Sequence, residues 1–160
     1  RSMTTTVSRS EHPSTIDWSR LLPYSFKGTV VHGFGRGGKQ LDCPTANLEE
    51  ATVADLPSGL IQGVYWGTGR VIREDKKEID ELGFVMSIGF NPHFGNEKKT
   101  MEVHFLASLD DFYGSRVEGT IRGFMREMPP FESMDALVAQ IRKDKEDATR
   151  LVERERNNKM

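Results

Sequence analysis

Apolar and polar residues alternate with a period of two through most of the middle of this chain. Over residues 100–106, Met101, Val103 and Phe105 fall on one face and Glu102, His104 and Leu106 on the other, the signature of a strand. Residues 117–126 set Val117, Gly119, Ile121, Gly123 and Met125 against Glu118, Thr120, Arg122, Phe124 and Arg126, and Pro129-Pro130 stops the run. A first strand is read over 24–34, with Thr29, Val30 and Val31 β-branched in a row. Residues 60–72 predict a long strand built on Ile61, Val64, Tyr65, Trp66, Val71 and Ile72. Gly63, Gly67 and Gly69 interrupt it, as barrel corners require. Another strand covers 83–90 with Val85, Met86 and Ile88. Residues 73–81 form a charged hairpin tip, and 91–96 and 110–114 carry turn residues.

The period changes after Ser133. Met134, Leu137, Val138, Ile141, Ala148, Leu151 and Val152 recur at helical spacing. Ser133 suits the N-cap, and Asp135 lies in the first turn, where the helix dipole favours a carboxylate. Leading residues 1–19 read as a flexible arm, with Arg1-Ser2 ahead of Met3 resembling an expression remnant. Within it, a short helical turn begins near Asp17 and ends at Pro23, packing Trp18, Leu21 and Leu22 on the domain's outside. Residues 48–58 are a long link of the kind that forms lids or flaps. Residues 153–160 are expected to fray. Five or six strands at hairpin spacing, with no helices between them, predict a mainly β antiparallel barrel with one C-terminal helix outside. The barrel domain is placed at residues 20–152.

A length of 160 residues supports one domain with a real core. Twenty-two basic and 24 acidic residues give a net charge of −2, which argues against a general nucleic-acid binder. No apolar run reaches the ~18–20 residues of a transmembrane helix. Cys43 is the only cysteine, so no intrachain disulfide forms, and it reads as a small residue beside Pro44. His12, His32, His93 and His104 show no zinc-ligand spacing.

Candidate chemistry concentrates in residues 28–47, GTVVHGFGRGGKQLDCPTAN. Gly33, Gly35, Gly37 and Gly38 let backbone N–H groups close around an anion, and Arg36 and Lys39 add charge. The G-x-G-x-x-G spacing is a decoy, because 40–44 does not open the helix that a dinucleotide fold needs. A P-loop fails too, since Gln40 stands where a Ser or Thr would reach Mg²⁺. Thr45 and Asn47 alternate on an extended segment, so their oxygens can share a face. Two neutral oxygens hold Mg²⁺ only with help from phosphate oxygens and water; in isolation the segment reads better as a Thr/Asn turn with self-satisfied side chains.

These residues resemble the ATP- and Mg²⁺-binding signature of eukaryotic-type riboflavin kinases (flavokinases). The similarity continues in Gly63-Val64-Tyr65-Trp66-Gly67, Ser87-Ile88-Gly89-Phe90-Asn91-Pro92, Lys99-Thr100-Met101-Glu102-Val103-His104 and Asp111-Phe112-Tyr113-Gly114, in order over about 20–152. The resemblance implies a six-stranded Greek-key barrel. It implies Mg²⁺-dependent transfer of phosphate from ATP to the ribityl 5′-hydroxyl of riboflavin, giving FMN, with Zn²⁺ or Mn²⁺ as possible replacements for Mg²⁺. By the same resemblance, Glu102 is the catalytic carboxylate and Thr45 and Asn47 are the metal ligands. Gly33, Gly35, Arg36, Gly37, Gly38 and Lys39 arch over the ATP phosphates, with Gly119 and Phe124 near the adenine. Phe105, Tyr113 and Arg126 belong to the riboflavin/FMN site. A monomer acting on small molecules in the cytoplasm is expected, without nucleic acid or membrane; an upstream targeting peptide would redirect it to an organelle. One position departs: Asp42 stands where the family carries glycine, and its carboxylate must turn from the phosphates or meet the metal.

A lone glutamate on a strand is ordinarily solvated. The Met-Glu-x-His context instead makes Glu102 the base that takes the hydroxyl proton; His104 shares its face and reads first as a satisfied barrel histidine, with orienting Glu102 as the alternative. The competing class is a non-catalytic flavin- or nucleotide-binding module, which would need no base.

Overall fold

The computed structural model describes residues 12–31, 45–74, 78–90, 99–107, 109, 114–128 and 132–158. Six strands follow one another: β1 Tyr24–Val31, β2 Thr45–Leu48, β3 Gly63–Ile72, β4 Ile79–Phe90, β5 Lys99–Phe105 and β6 Arg116–Arg126. They close in the order β1-β2-β5-β4-β3-β6, with every neighbouring pair antiparallel. Strands β3, β4 and β5 are successive neighbours and β2 returns beside β5, which is the Greek-key arrangement. The mainly β barrel expected from the alternation is therefore the observed fold.

Alternation decides what fills the barrel. Phe84, Met86 and Ile88 of β4 and Met101, Val103 and Phe105 of β5 point inward and are fully buried. Ala46 and Leu48 of β2, Phe26 and Val30 of β1, and Val117 and Ile121 of β6 complete this core. A second, smaller cluster lies outside the barrel: Val64, Val85 and Ala148, with Trp66, Leu106, Met125 and Met128 packed against it. It is the seam beneath the C-terminal helix α3, Met134–Asn158, which lies on β3 and β4. Ser133 caps α3 as expected, its Oγ accepting from the Ala136 amide at 3.1 Å.

Four readings change. The strict alternation over 117–126 breaks after Ile121, because β6 carries two irregularities against β3, between Trp66/Gly67 and Val64/Tyr65. Each adds a residue to β6, so Phe124 turns to the inner core while Met125 joins the outer seam. The α3 helix runs through Asn158 rather than fraying from 153; Arg156 donates to the Glu81 carbonyl, and Glu155 pairs with Arg122 at 3.5 Å. The link after β2 contains a short helix, α2, Glu50–Ala54. The end of the expected arm is packed: a 3-10 turn at Pro13–Thr15 leads to α1, Trp18–Leu21, and Trp18 stacks on Phe124 at 4.6 Å. Trp18 also meets Tyr65 edge-on at 5.9 Å, so the apolar residues of this turn pack on the outside of the domain, as expected, and cover part of its core.

Candidate active site

Strand register builds the site. On the outer face of β5, Glu102 lies opposite Asn47 of β2 on one side and Ser87 of β4 on the other. One row along, His104 lies between Thr45 and Val85. Directly opposed residues share a face, at about 4.5–5.5 Å between Cβ atoms. The amide of Asn47 and the carboxylate of Glu102 are thus neighbours by construction. His104 is buried, and its Nε2 is 3.4 Å from Glu102 Oε1, while the Glu102 side chain keeps 30% of its surface exposed. A covered imidazole beside a half-open carboxylate restrains the carboxylate and leaves it reachable from solvent. The row continues from Ser87 to Val64 and from Val64 to Arg126 on β6. Glu102 and Arg126 are therefore three strands apart on the outside of the barrel, about 14 Å along the sheet at the usual strand spacing.

The ends of the glycine-rich segment are fixed beside this face. Val31, the last residue of β1, pairs with Asn47, so residues 32–44 leave and return next to Glu102. The α2 helix staples β1 just before that point. Glu49 Oε2 accepts from the Thr29 amide at 2.8 Å, the Glu49 amide donates to the Thr29 carbonyl at 3.1 Å, and Thr52 Oγ1 donates to the Lys27 carbonyl at 3.0 Å. The approach is so close that a Cβ on Gly28 would stand 2.3 Å from Thr52 Oγ1. That explains the glycine opening the motif, and it is a packing role. Gly114, the last residue of Asp111-Phe112-Tyr113-Gly114, has φ +83°, which glycine alone adopts readily. Its amide donates to the Val30 carbonyl at 2.9 Å, tying that turn to the same end of β1.

The sequence-based residues are not all gathered in one place. Glu102, Asn47 and the backbone of Thr45 come together across β2 and β5. Arg126 ends the same outer row. Phe105 does not belong to that surface: its side chain is enclosed in the core, edge-on to Phe84 at 6.4 Å, on the face of β5 opposite Glu102. Strand parity gives it a packing role. Phe124 is covered by Trp18 and meets Tyr65 at 5.3 Å, so its ring is engaged in the core. Gly119 presents its Cα to Phe26 and Phe84. It also borders an open cavity of about 750 Å³, whose walls include Lys27, Arg70, Arg122 and Glu155. Neither Gly119 nor Phe124 is in the Glu102 row. Gly33, Gly35, Arg36, Gly37, Gly38, Lys39, Asp42 and Tyr113 lie outside the described residues, as does the Thr45 side chain.

Among the described residues no trio of His, Cys, Asp and Glu could cage a metal. What β2 offers is hard neutral oxygen: the Asn47 carboxamide, and the hydroxyl that Thr45 carries two positions away. That donor set fits a cation such as Mg²⁺ that keeps water and takes phosphate oxygens as its other ligands.

A residue that the periodicity hid is Asp144. It is only 3% exposed, on α3, and its two carboxylate oxygens take the Arg126 guanidinium at 2.8 and 2.6 Å. The available signal was its place in the stripe, between Ile141 and Ala148, where an apolar residue belongs.

A family model described as Flavokinase: Riboflavin kinase matches residues 21–152. The chain is 41% identical over 135 residues to the riboflavin kinase of Homo sapiens, covering 84% of each protein. The crystal structure of riboflavin kinase from Trypanosoma brucei superimposes with a TM-score of 0.64 at 29% identity, over 82% of this chain and 80% of that one. A longer chain, described as a macrolide-efflux protein from Streptococcus pneumoniae, gives a TM-score of 0.60 at 31% identity; 79% of this chain covers 38% of that one. With the matched segment spanning the whole barrel and most of α3, this chain belongs to the riboflavin kinase family.

Proposed function

We propose that this protein transfers the γ-phosphoryl group of ATP to the 5′-hydroxyl of riboflavin, releasing FMN and ADP. The observation that carries this reading is the register of β2 against β5. It places Asn47 opposite Glu102, beside the two ends of the glycine-rich segment, in a chain of this family.

The chemistry follows from that placement. Glu102 accepts the hydroxyl proton as the ribityl oxygen attacks the γ-phosphorus. The bond from that phosphorus to the β,γ-bridging oxygen breaks, and ADP departs with the electron pair. A base in this role contributes about 10²–10⁴-fold. His104, 3.4 Å away, holds the carboxylate toward the incoming hydroxyl. Backbone amides of 33–38 and the Lys39 ammonium hold the ATP phosphates, which little besides positioning and charge neutralisation is needed to activate. Thr45 and Asn47 hold the divalent cation, with Mg²⁺ favoured by their neutral oxygens. When bound, that ion offsets charge on the phosphates. Arg126, part-exposed at the end of the outer row beyond the stretch that α3 covers at Val64, takes the planar ring system of the substrate.

The test is incubation of the protein with riboflavin, ATP and Mg²⁺, following both products. FMN and ADP appearing in equal amounts is the expected result. Saturable riboflavin binding without FMN would replace this reading with a binding module. In the same assay, Asn47→Ala raises the Mg²⁺ concentration needed for half-maximal rate; an unchanged Mg²⁺ response removes Asn47 as a ligand.

A further inference from the structure

Asp144 is a buried carboxylate in the middle of a helix face that is otherwise packed with apolar groups. An ionised carboxylate in such a place is costly unless paired and hydrogen-bonded. Among the described residues its charged partner is Arg126, in a two-point fork. Nε donates to Oδ1 at 2.8 Å and Nη2 to Oδ2 at 2.6 Å. Gln140, one turn earlier on α3, donates to Oδ1 at 3.0 Å and sets the carboxylate's rotation. Arg126 Nη1 donates to the Glu127 carbonyl at 2.9 Å, which fixes the guanidinium from its third nitrogen. The fork leaves the plane of the guanidinium little freedom, since bidentate carboxylate pairs impose orientation as well as attraction. Arg126 still keeps 22% of its side-chain surface exposed, at the far end of the outer row from Glu102.

Docking α3 alone would not require this arrangement. The Val64, Val85 and Ala148 seam already supplies apolar contact, and replacing a buried pair by apolar groups is often neutral or stabilising. We propose that Asp144 is a positioning residue for the substrate's flavin end: it aims Arg126, with Gln140 in support, so that the orientation of this guanidinium sets riboflavin affinity and leaves ATP affinity and the chemical step alone. This rests on the reading of Arg126 as a flavin contact.

The experiment measures riboflavin binding directly, by flavin fluorescence on the intact chain, beside KM for each substrate and kcat. For Asp144→Asn, the riboflavin Kd and KM rise about tenfold, the loss expected for one misaligned charged hydrogen-bond pair. The ATP KM and kcat stay within about twofold. Asp144→Glu recovers part of the loss. Val152→Ala loosens α3 elsewhere on its docked face; it lowers the melting temperature and leaves the riboflavin Kd unchanged. If Asp144→Asn does not fold, Gln140→Ala shows the same selectivity at smaller size. Arg126→Ala separates the two layers of the inference. A raised riboflavin Kd in Arg126→Ala, with no change in Asp144→Asn or Gln140→Ala, overturns the positioning role alone. No change in Arg126→Ala removes Arg126 from the flavin site, and the proposal with it. An equal loss in Val152→Ala would mean that helix docking in general, and not the aim of the guanidinium, is responsible.

Discussion

Glu102 occupies a face of β5 that the core does not use, and what makes it chemically useful is its neighbours across two strands. Asn47 lies opposite it on β2, and the buried imidazole of His104 comes within 3.4 Å of its carboxylate. At this scale the alternation of β5 made the outward face of Glu102 legible, while its juxtaposition with Asn47 comes from strand register, which no single segment of sequence states. The sequence was illegible where a glycine had a packing role. Gly28 belongs to the motif by position, yet its reason is Thr52, 24 residues away, whose hydroxyl fills the space of a side chain. Gly28→Ala forces that hydroxyl off the Lys27 carbonyl and pushes α2 from β1. The expected cost is about 1–3 kcal/mol, read as a lower midpoint in denaturant titration. In a Thr52→Ala background, which lacks that hydroxyl, Gly28→Ala costs less than in the parent if the clash is the cause, and an unchanged midpoint in Gly28→Ala rules the contact out.

Elements were legible where their period was long and regular, as in β5 and α3. They were not legible where one inserted residue changed the count. The two irregularities of β6 lie at Arg122 and Met125, and nothing in a single strand's sequence says that an extra residue will be inserted against its partner there. Phe105 illustrates a related limit: its alternation with Glu102 was read correctly, and the same alternation puts it inside the barrel, away from the flavin surface assigned to it by resemblance. The turn at α1 and its packing on the domain were legible, but the partners were not: they are Phe124 and Tyr65, which lie far from Trp18 in the sequence. Trp18→Ala therefore lowers stability by about 2–3 kcal/mol, below the 3–5 typical of fully buried aromatics because Trp18 is only partly buried. Thermal melts check this, and a loss under about 0.5 kcal/mol would mean that the segment is a loosely attached arm after all.

Taken whole, the molecule separates its two tasks by face: the inside of the barrel is apolar and holds the fold, and the outside carries the polar chemistry. Tyr65 crosses that division. Its ring is fully buried and its hydroxyl donates to the Ile61 carbonyl at 2.7 Å. Burial raises its pKa well above the ordinary 10.0, so above pH ~10 the unfolded chain loses this proton before the folded one does. Stability is fully present below that point and falls as pH rises through it, by about 1.4 kcal/mol per pH unit for one such group. Tyr24 is raised more weakly, by burial and the Asp55 carboxylate. Tyr65→Phe should flatten most of the alkaline slope in denaturant midpoints taken from pH 9 to 12; the same slope in the variant would assign it to other groups. The central claim, however, is that the outer face of β5 performs phosphoryl transfer with Glu102 as its base. Turnover of Glu102→Gln, at saturating riboflavin and MgATP and with binding of both verified, tests it most directly. With Glu102 as the base, binding persists while kcat for FMN formation falls about 10²–10⁴-fold. A kcat within a few-fold of the parent protein would contradict it.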